Sequence, residues 1–412
     1  MLAVVQLLSV LTVAAAAANG PVPLQVATPV PFYRSADGSS PFNETIHRPD
    51  ADFLAVHFKS LALPPAAVVT IACADGSQQI QLTGARSDFY TESLLCDTIT
   101  VAYSAPTYAK GGANVFEVDS YLRGSPDAAQ HDKLETTCSI SDEARPEICF
   151  KEPARVKASR AVARLRIGPF SCTGWLFGSE GHLITNSHCI SSAKDAANVI
   201  VEFDARCDSC KHPQRKTLGG CPGTVVATKS TLVVWDELND FALVKLDDLK
   251  PGADLKQYGY LQARESGPVL GEDIWTSHHP GGWPLHYSVT YNGDVPKIAG
   301  LDKDTCMPGF LGRVKDTVAH YLDTSGGSSG APIMSTKDNV VVALHNCGEC
   351  NSKGDNTNGA IKIQYIISFL RTRGLLPKDA TVGAPPAPTT PKPAPTTEVP
   401  TTDAPTTEVP TT

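Results

Sequence analysis

Short runs of alternating apolar and polar residues predict β-strands in the first third of the chain. Leu54, Val56 and Phe58 alternate with small or polar neighbours, and a Val-Val-Thr-Ile run follows a pair of prolines. Strands of this kind, separated by Gly- and Pro-containing turns and without a helical period, are typical of a small β-sandwich. We therefore expect a β-sandwich-like unit over residues 19–135. A structureless propeptide is the alternative interpretation of this segment.

The strand pattern continues through residues 136–376, which predicts an all-β fold of two barrels. One helix ends this segment, because apolar residues recur at helical spacing between Ile361 and Arg373, and Gly374 follows. Residues 377–412 are rich in Pro and Thr, and the sequence Pro-Thr-Thr-Glu-Val-Pro recurs there. Such a composition cannot bury a core, so we expect a disordered, O-glycosylated tail that could contact a cell wall or matrix.

The ends and the composition point to an exported protein. Residues 1–18 are small and apolar, which predicts a secretory signal peptide. This stretch is too short and too rich in alanine for a membrane span, and no later window offers one. A net charge of −8 gives no basic footprint for nucleic acid.

The twelve cysteines are expected to form disulfide bonds in an exported chain. Cys73 and Cys96 are the only cysteines of the first unit and are therefore expected to pair. Asn43 begins an Asn-Glu-Thr sequon, which becomes a candidate glycosylation site once export is assumed.

Three motifs form a candidate catalytic constellation. His188 lies in Thr-Asn-Ser-His-Cys, Asp240 precedes the run Phe-Ala-Leu-Val-Lys-Leu, and Ser329 lies in Gly-Gly-Ser-Ser-Gly-Ala-Pro. A serine hydroxyl is a poor nucleophile until an imidazole takes its proton, and a carboxylate must fix the tautomer of that imidazole. The chain order histidine, aspartate, serine is that of the chymotrypsin-type triad.

The surroundings of each residue suit its expected role. A Cys172–Cys189 disulfide would fix the loop that presents the imidazole. Asp236 competes with Asp240 as the carboxylate, and we prefer Asp240 because a predicted core strand follows it directly. The N–H groups of Gly327 and Ser329 would form the oxyanion hole.

Two rival interpretations use the same residue types. Gly-Gly-Ser-Ser-Gly also fits the nucleophile elbow of α/β-hydrolases with Ser328 as nucleophile, but no strand–helix alternation precedes it. A four-thiolate zinc site is possible in principle from the two Cys-x-x-Cys pairs, although export favours disulfides. Those pairs are Cys207 with Cys210 and Cys347 with Cys350. We expect neither a metal nor another cofactor.

At these motifs the segment 136–376 resembles the trypsin-like serine proteases, and specifically the lysyl endopeptidase and glutamyl endopeptidase branch. The Gly-Ser-Ser-Gly-Ala-Pro sequence and the Ser277-His-His-Pro280 sequence carry this resemblance, and trypsin-like proteases of oomycetes resemble the whole arrangement. The resemblance implies an all-β fold of two six-stranded antiparallel, chymotrypsin-like barrels with a C-terminal helix. It also implies that Cys149 reaches Cys207 or Cys210 and that Cys138 reaches Cys347 or Cys350, leaving Cys221 and Cys306 without assigned partners.

The resemblance gives three candidates for the primary substrate pocket. Asp323 stands six positions before Ser329, where trypsins that cut after Arg or Lys place their pocket aspartate. Asp355 offers a second route to that preference, and His345 matches a histidine that reads glutamate in glutamyl endopeptidases but also occurs in lysyl endopeptidase. We expect cleavage after Arg or Lys, governed by Asp323.

The sequence therefore predicts a secreted serine endopeptidase that acts on proteins or peptides. A catalytically silent homologue that binds another protein as an inhibitor or decoy is the main alternative. A surface-binding protein built on the first unit and the tail is a further one.

Overall fold

The computed structural model describes residues 22–107, 113–125, 137–303, 316–350 and 357–383. The predicted signal peptide, Asp355, Cys306 and the predicted tail from residue 384 lie outside these residues.

Two four-stranded antiparallel sheets form the first unit, with strand orders β2-β9-β4-β7 and β3-β8-β5-β6. Preceding them is β1, a two-residue strand that pairs with a strand of the second unit. The strands are β1 (Leu24–Gln25), β2 (Ala27–Ala36), β3 (Phe42–His47), β4 (Phe53–Ala62), β5 (Val68–Cys73), β6 (Gln79–Leu82), β7 (Ala85–Tyr90), β8 (Thr98–Ser104) and β9 (Phe116–Gly124).

The two sheets share one hydrophobic core. Val56 and Phe58 of β4 are fully buried against side chains of β5 and β8, as their alternation in sequence predicts. The expected Cys73–Cys96 bridge is present and joins the end of β5 to the segment before β8. Asn43 lies on β3, an edge strand, and its side chain is exposed.

The second unit contains two larger sheets. The first has strand order β15-β14-β11-β12-β13-β17-β16, and β1 adds to β12. Its strands are β11 (Val162–Ile167), β12 (Phe170–Leu176), β13 (His182–Thr185), β14 (Val199–Phe203), β15 (Thr224–Ala227), β16 (Thr231–Asp236) and β17 (Phe241–Lys245). Every residue of β11 is buried, and Arg166 of this strand donates a hydrogen bond to the carbonyl of Thr91 in the sandwich.

The other sheet has strand order β10-β20-β19-β23-β24-β25-β22-β21, and β18 and β26 pair off this path. Its strands are β10 (Arg145–Pro146), β18 (Ala263–Arg264), β19 (Ile274–His278), β20 (His286–Ser288), β21 (Ile298–Lys303), β22 (Thr317–His320), β23 (Pro332–Ser335), β24 (Val341–Cys347), β25 (Asn358–Lys362) and β26 (Thr381–Val382).

Helices are few. The α-helices are α1 (Pro153–Ser159), α2 (Ala193–Ala196) and α3 (Ile363–Thr372), and short 3-10 turns span Glu147–Cys149, Pro213–Lys216, Leu255–Tyr258 and Pro280–Gly282. Helix α3 is the one the apolar spacing predicts. No helix among the described residues is long and apolar enough to cross a bilayer. The all-β fold class is confirmed, and the two curled sheets carry more strands than the six each that were expected.

One predicted boundary is wrong. Residues 377–383 were assigned to the tail, but β26 pairs in parallel with β18 and Ala380 is buried. The Pro/Thr composition of the following residues concealed this short strand, because two residues are too few to show a period.

Candidate active site

His188 follows β13 and Asp240 precedes β17, and the two side chains are in contact at this end of the paired strands. The Nδ1 atom of His188 is 2.8 Å from Oδ2 of Asp240 and 3.1 Å from Oδ1. Asp240 is fully buried, and its Oδ1 also accepts hydrogen bonds from Ser187 Oγ and from the backbone N–H of His188. Hydrogen bonds from these donors fix the carboxylate in place, and the carboxylate fixes the orientation of the imidazole.

Nε2 of His188 has no hydrogen-bond partner among the described residues, although the atom is buried. With Nδ1 engaged by Asp240, this nitrogen is the one left to exchange a proton with a reacting group.

Local structure explains the choice between the two candidate aspartates. Asp236 ends β16, and its Oδ1 accepts hydrogen bonds from the backbone and side-chain nitrogens of Asn239, so it closes the turn into β17. Asp240 follows this turn with a φ of 37° and immediately precedes β17. The turn thus directs Asp240 toward the histidine and leaves Asp236 with a local role.

The loop that carries Ser329 is bound on two sides. The carbonyl oxygens of Gly327 and Ser329 accept hydrogen bonds from the Oγ1 and N–H of Thr173 on β12. On the other side the N–H of Gly330 donates to the carbonyl of His345 on β24. Ser329 itself is fully buried in this arrangement.

Gly327 and Gly330 fit this loop because a side chain would not. Gly327 has a φ of 93°, and a Cβ there would lie 2.7 Å from the carbonyl oxygen of His279. Gly330 has a φ of 88°, and a Cβ there would collide with the Thr173 carbonyl. Both positions combine a left-handed backbone with a close approach, which only glycine tolerates.

Ser328, the nucleophile of the rival hydrolase interpretation, is committed to structural contacts. Its Oγ lies 2.8 Å from Nδ1 of His278 and accepts a hydrogen bond from the N–H of Ser325. Burial lowers the pKa of His278 to about 3, so this imidazole is neutral and binds Ser328 and Ser288 through its two nitrogens. The sheets also lack the parallel topology that the elbow requires.

Two buried histidines, His320 and His345, contact each other near the Ser329 loop. Leu322 N–H donates to Nδ1 of His320, so neutral His320 carries its proton on Nε2 and donates it to Nδ1 of His345, 3.3 Å away. Burial lowers the pKa of His320 to about 3 and holds the pKa of His345 well below its usual range. Neutral His345 therefore carries its proton on Nε2, a buried donor with no partner among the described residues.

Asp323, the expected pocket aspartate, is engaged by backbone donors. Its Oδ1 accepts hydrogen bonds of 2.8 Å from the N–H groups of Cys138 and Ser139, and its Oδ2 accepts one of 2.8 Å from Glu143. Burial raises the pKa of this carboxyl, while the N–H groups oppose the rise. The carboxylate binds the segment 138–143 to the second sheet instead of standing free for a substrate cation.

The cysteines among the described residues form disulfide bonds. The expected Cys172–Cys189 bridge joins β12 to the residue after His188. The remaining bridges among the described residues are Cys138–Cys350, Cys149–Cys210 and Cys207–Cys221. Cys347 is also disulfide-bonded, so none of the four thiols considered for zinc is available to a metal.

Sequence reasoning missed Thr173, His278 as the partner of Ser328, and His320 as the partner of His345. A buried histidine on a strand carries no local signature. Only the pairing of β22 with β25 and of β25 with β24 brings His320 and His345 together.

Comparisons with known proteins fit this geometry. Residues 172–344 match the family model of the trypsin-like peptidase domain, a range that contains His188, Asp240 and Ser329. With the two curled sheets, the match shows a trypsin-like double-barrel fold. The finer resemblance to the lysyl and glutamyl endopeptidase branch stays a prediction.

Two relatives are similar in sequence. Secreted RxLR effector protein 73 of Plasmopara viticola is 37% identical over 347 residues, which is 80% of this chain and 82% of that protein. Uncharacterized protein y4fB of Sinorhizobium fredii is 30% identical over 204 residues, which is 46% of this chain and 28% of that protein.

Two solved structures are similar in part. The inactive form of the M. tuberculosis protease Rv3671c is 16% identical with a TM-score of 0.40, over 56% of this chain and 97% of that chain. Deg5 is 16% identical with a TM-score of 0.38, over 56% of this chain and 94% of that chain.

Proposed function

The chain belongs to the same family as the Plasmopara viticola effector and carries a trypsin-like peptidase domain, and from this premise we propose that it is a secreted serine endopeptidase. The observation that carries the proposal is the His188–Asp240 pair beside a Ser329 loop that β12 and β24 bind on both sides. The disulfides and the predicted signal peptide support export, and the relative is named as secreted.

The residues have distinct roles in the proposed reaction. Ser329 Oγ attacks the scissile carbonyl as His188 Nε2 takes its proton, and Asp240 stabilises the resulting imidazolium. The N–H groups of Gly327 and Ser329 bind the developing oxyanion. His188 then returns the proton to the leaving amine, and water hydrolyses the acyl-enzyme by the same route in reverse.

For specificity we propose a preference that differs from the Arg/Lys preference expected from Asp323. The carboxylate of Asp323 is engaged by three backbone N–H groups, whereas His345 offers an unpartnered Nε2–H donor. Such a donor suits a substrate side chain that accepts a hydrogen bond, a carboxylate or a carboxamide. A peptide library decides this point, because cleavage mainly after Arg or Lys would contradict it.

A catalytically silent homologue is the second candidate, and the full burial of Ser329 favours it. A fluorophosphonate probe separates the two functions, because it labels only an activated serine. We expect the wild-type chain to be labelled and Ser329→Ala to be unlabelled. Ser328→Ala is the matched control and should keep its labelling, since Ser328 binds His278. A folded wild-type protein that resists labelling would support the silent homologue.

Contact of the tail with a cell wall or matrix is a further proposal. The Pro/Thr-rich composition from residue 384 onward supports it, because such a segment can extend from the enzyme. Co-sedimentation of the full chain and of a chain ending at Gly383 with cell-wall polysaccharide tests it, and equal binding by both would contradict it.

A further inference from the structure

A cleft of about 610 Å³ lies beside His188, between the sandwich and the first large sheet. On the barrel side it is lined by the β11–β12 turn over residues 167–170 and by residues that follow His188, including Lys194. On the sandwich side it is lined by His57, Asp88, Tyr90, Asp119 and Ser120. The first unit therefore contributes directly to a cleft that contains the candidate general base.

The cleft adjoins His188 but not the segment that carries Ser329. Its lining includes no residue of the segment 316–350, which carries Ser329 and His345. The acyl part of a substrate faces that segment, so the cleft is on the other side of the imidazole. Because His188 protonates the leaving amine, the residues after the scissile bond must lie on this side. We take the buried Nε2 of His188, which has no partner among the described residues, as the boundary between the acyl side and the leaving-group side of the site.

The sandwich wall of the cleft is acidic. His57 lies between two carboxylates, with Nδ1 2.6 Å from Asp119 and Nε2 3.4 Å from Asp88. Lys194 is 2.9 Å from Asp88, and Asp195 lines the cleft as well. Asp88 and Asp119 leave the sandwich wall negative whether or not His57 carries a proton, and the charges of Lys194 and Asp195 on the barrel side cancel.

The carboxylates remain accessible to a ligand. The side chains of Asp88 and Asp119 are 50% and 35% exposed, whereas His57 between them is only 12% exposed. Lys194 is 70% exposed, so its bond to Asp88 is a surface ion pair that contributes little and can be exchanged for a substrate cation.

Hydrogen bonds fix the sandwich at this position. Asn198 of the barrel donates to the carbonyl of Asp88 at 3.0 Å and accepts from the N–H of Tyr90 at 3.3 Å. Arg86 of β7 donates to the carbonyl of Thr228, and the Pro169 carbonyl accepts the N–H groups at the start of the sandwich. These bonds flank the cleft, so its acidic wall is part of the folded structure.

From these observations we infer that the sandwich forms a leaving-group subsite of the protease, which selects a Lys or Arg among the first residues after the scissile bond. The inference rests on the proposed function and deepens it. It also assigns the first unit a role in the working enzyme, in place of a propeptide that is discarded. A cationic side chain would reach Asp88 and Asp119, and an acidic one would be repelled by the same wall.

The test uses the full chain and internally quenched peptides that share the residues before the scissile bond. Each of the three positions after that bond carries Lys, Ala or Glu in turn, and an anilide substrate that has no residue there serves as the reference. At one position we expect kcat/KM for Lys to exceed that for Glu about tenfold, the scale of one charge-assisted contact. In the Asp88→Asn/Asp119→Asn double variant this ratio should fall at least about threefold.

Asp97→Asn is the matched control, since Asp97 belongs to the same sandwich but does not line the cleft. It should keep the wild-type ratio. An enzyme that hydrolyses the anilide but shows no Lys preference, or whose double variant keeps the preference unchanged, overturns the subsite while leaving the protease standing. If neither the anilide nor the fluorophosphonate probe reacts, the proposed function fails and the subsite falls with it.

Discussion

The tautomer of His188 depends on a hydrogen bond to a single buried carboxylate. Asp240 presents one oxygen to Nδ1 of His188 and the other to backbone and hydroxyl donors. Because the Asp240 oxygen that faces Nδ1 is an acceptor, the imidazole proton lies on Nδ1. This leaves Nε2 free to act as a base.

Asp240→Asn should therefore lower kcat by about 10⁴, since an amide NH₂ facing Nδ1 would move the proton to Nε2. Anilide hydrolysis measures the effect. Asp236→Asn is the control and should stay within about threefold of wild type, because its carboxylate only closes a turn. A fall in kcat of less than tenfold for Asp240→Asn would identify another residue as the carboxylate.

His286 gives a residue-level prediction for stability. Burial lowers its pKa to about 4, whereas an unfolded chain titrates near the ordinary 6.5. Between these values the unfolded state binds the proton and the folded state does not, so the free energy of unfolding falls as the pH drops from 6.5 to 4. A group of this kind changes that free energy by up to about 1.4 kcal/mol per pH unit.

His286→Gln should remove that contribution, so the variant should lose stability less steeply than wild type over the same pH range. Urea unfolding at several pH values measures both slopes. The carboxyl groups and the other histidines titrate in both proteins, so their contributions cancel in the difference between the two slopes. Identical slopes would show that His286 titrates normally in the folded protein.

At the scale of elements, the contacts of Asp323 decide how the segment 138–143 joins the second sheet. Three backbone N–H groups of this segment converge on one carboxylate, and the Cys138–Cys350 bridge ties the same segment down. The carboxylate thus completes the backbone hydrogen bonding of this segment, of which Cys138 and Ser139 are buried.

Asp323→Asn should destabilise the protein by about 1–3 kcal/mol, because an amide NH₂ would face the N–H of Glu143. The choice of residue before the scissile bond should be unchanged. Urea unfolding and a peptide library give the two readouts. Asp208→Asn, at a side chain that is 84% exposed, is the control. Loss of cleavage after Arg or Lys in a fully stable Asp323→Asn protein would instead support Asp323 as the aspartate of the primary substrate pocket.

Local motifs indicate the three candidate triad residues, whereas no local motif indicates the contacts of Asp323. His188, Asp240 and Ser329 each lie in a short motif whose neighbours state its role: a following cysteine, a following core strand and flanking glycines. The role of Asp323 is set by N–H groups about 180 residues earlier in the chain. No local pattern reports a contact of that range, and the position relative to Ser329 suggested a different use.

At the scale of the whole molecule, the sandwich is held against the barrel by a continuous set of contacts. Strand β1 adds to β12, and a small core joins Leu24, Phe53 and Leu122 to Leu218. The alternating pattern predicted the strands of the sandwich, but not that it would wall the cleft beside His188. That placement depends on hydrogen bonds such as those of Asn198 and Arg86, which have no signature in sequence.

The last prediction concerns residues 377–383, because the catalytic unit extends past residue 376, its expected end. Ala263 N–H donates to the carbonyl of Ala380 at 2.8 Å, and Ser179 N–H donates to that of Lys378 at 2.9 Å. A chain that ends at Gly383 keeps β26 and should retain wild-type stability and peptide hydrolysis within about twofold. A chain that ends at Leu376 loses these bonds and the buried Ala380, and should be destabilised by about 2–4 kcal/mol.

Thermal and urea unfolding of the two truncated proteins measure this difference directly, with the full chain as reference. The two lengths differ only by the seven residues 377–383, so the comparison isolates β26 from the Pro/Thr-rich segment. Equal stability of both truncated proteins would show that the β18–β26 pairing contributes nothing. A loss of peptide hydrolysis on truncation at Gly383 would instead mean that the later residues act on the catalytic unit.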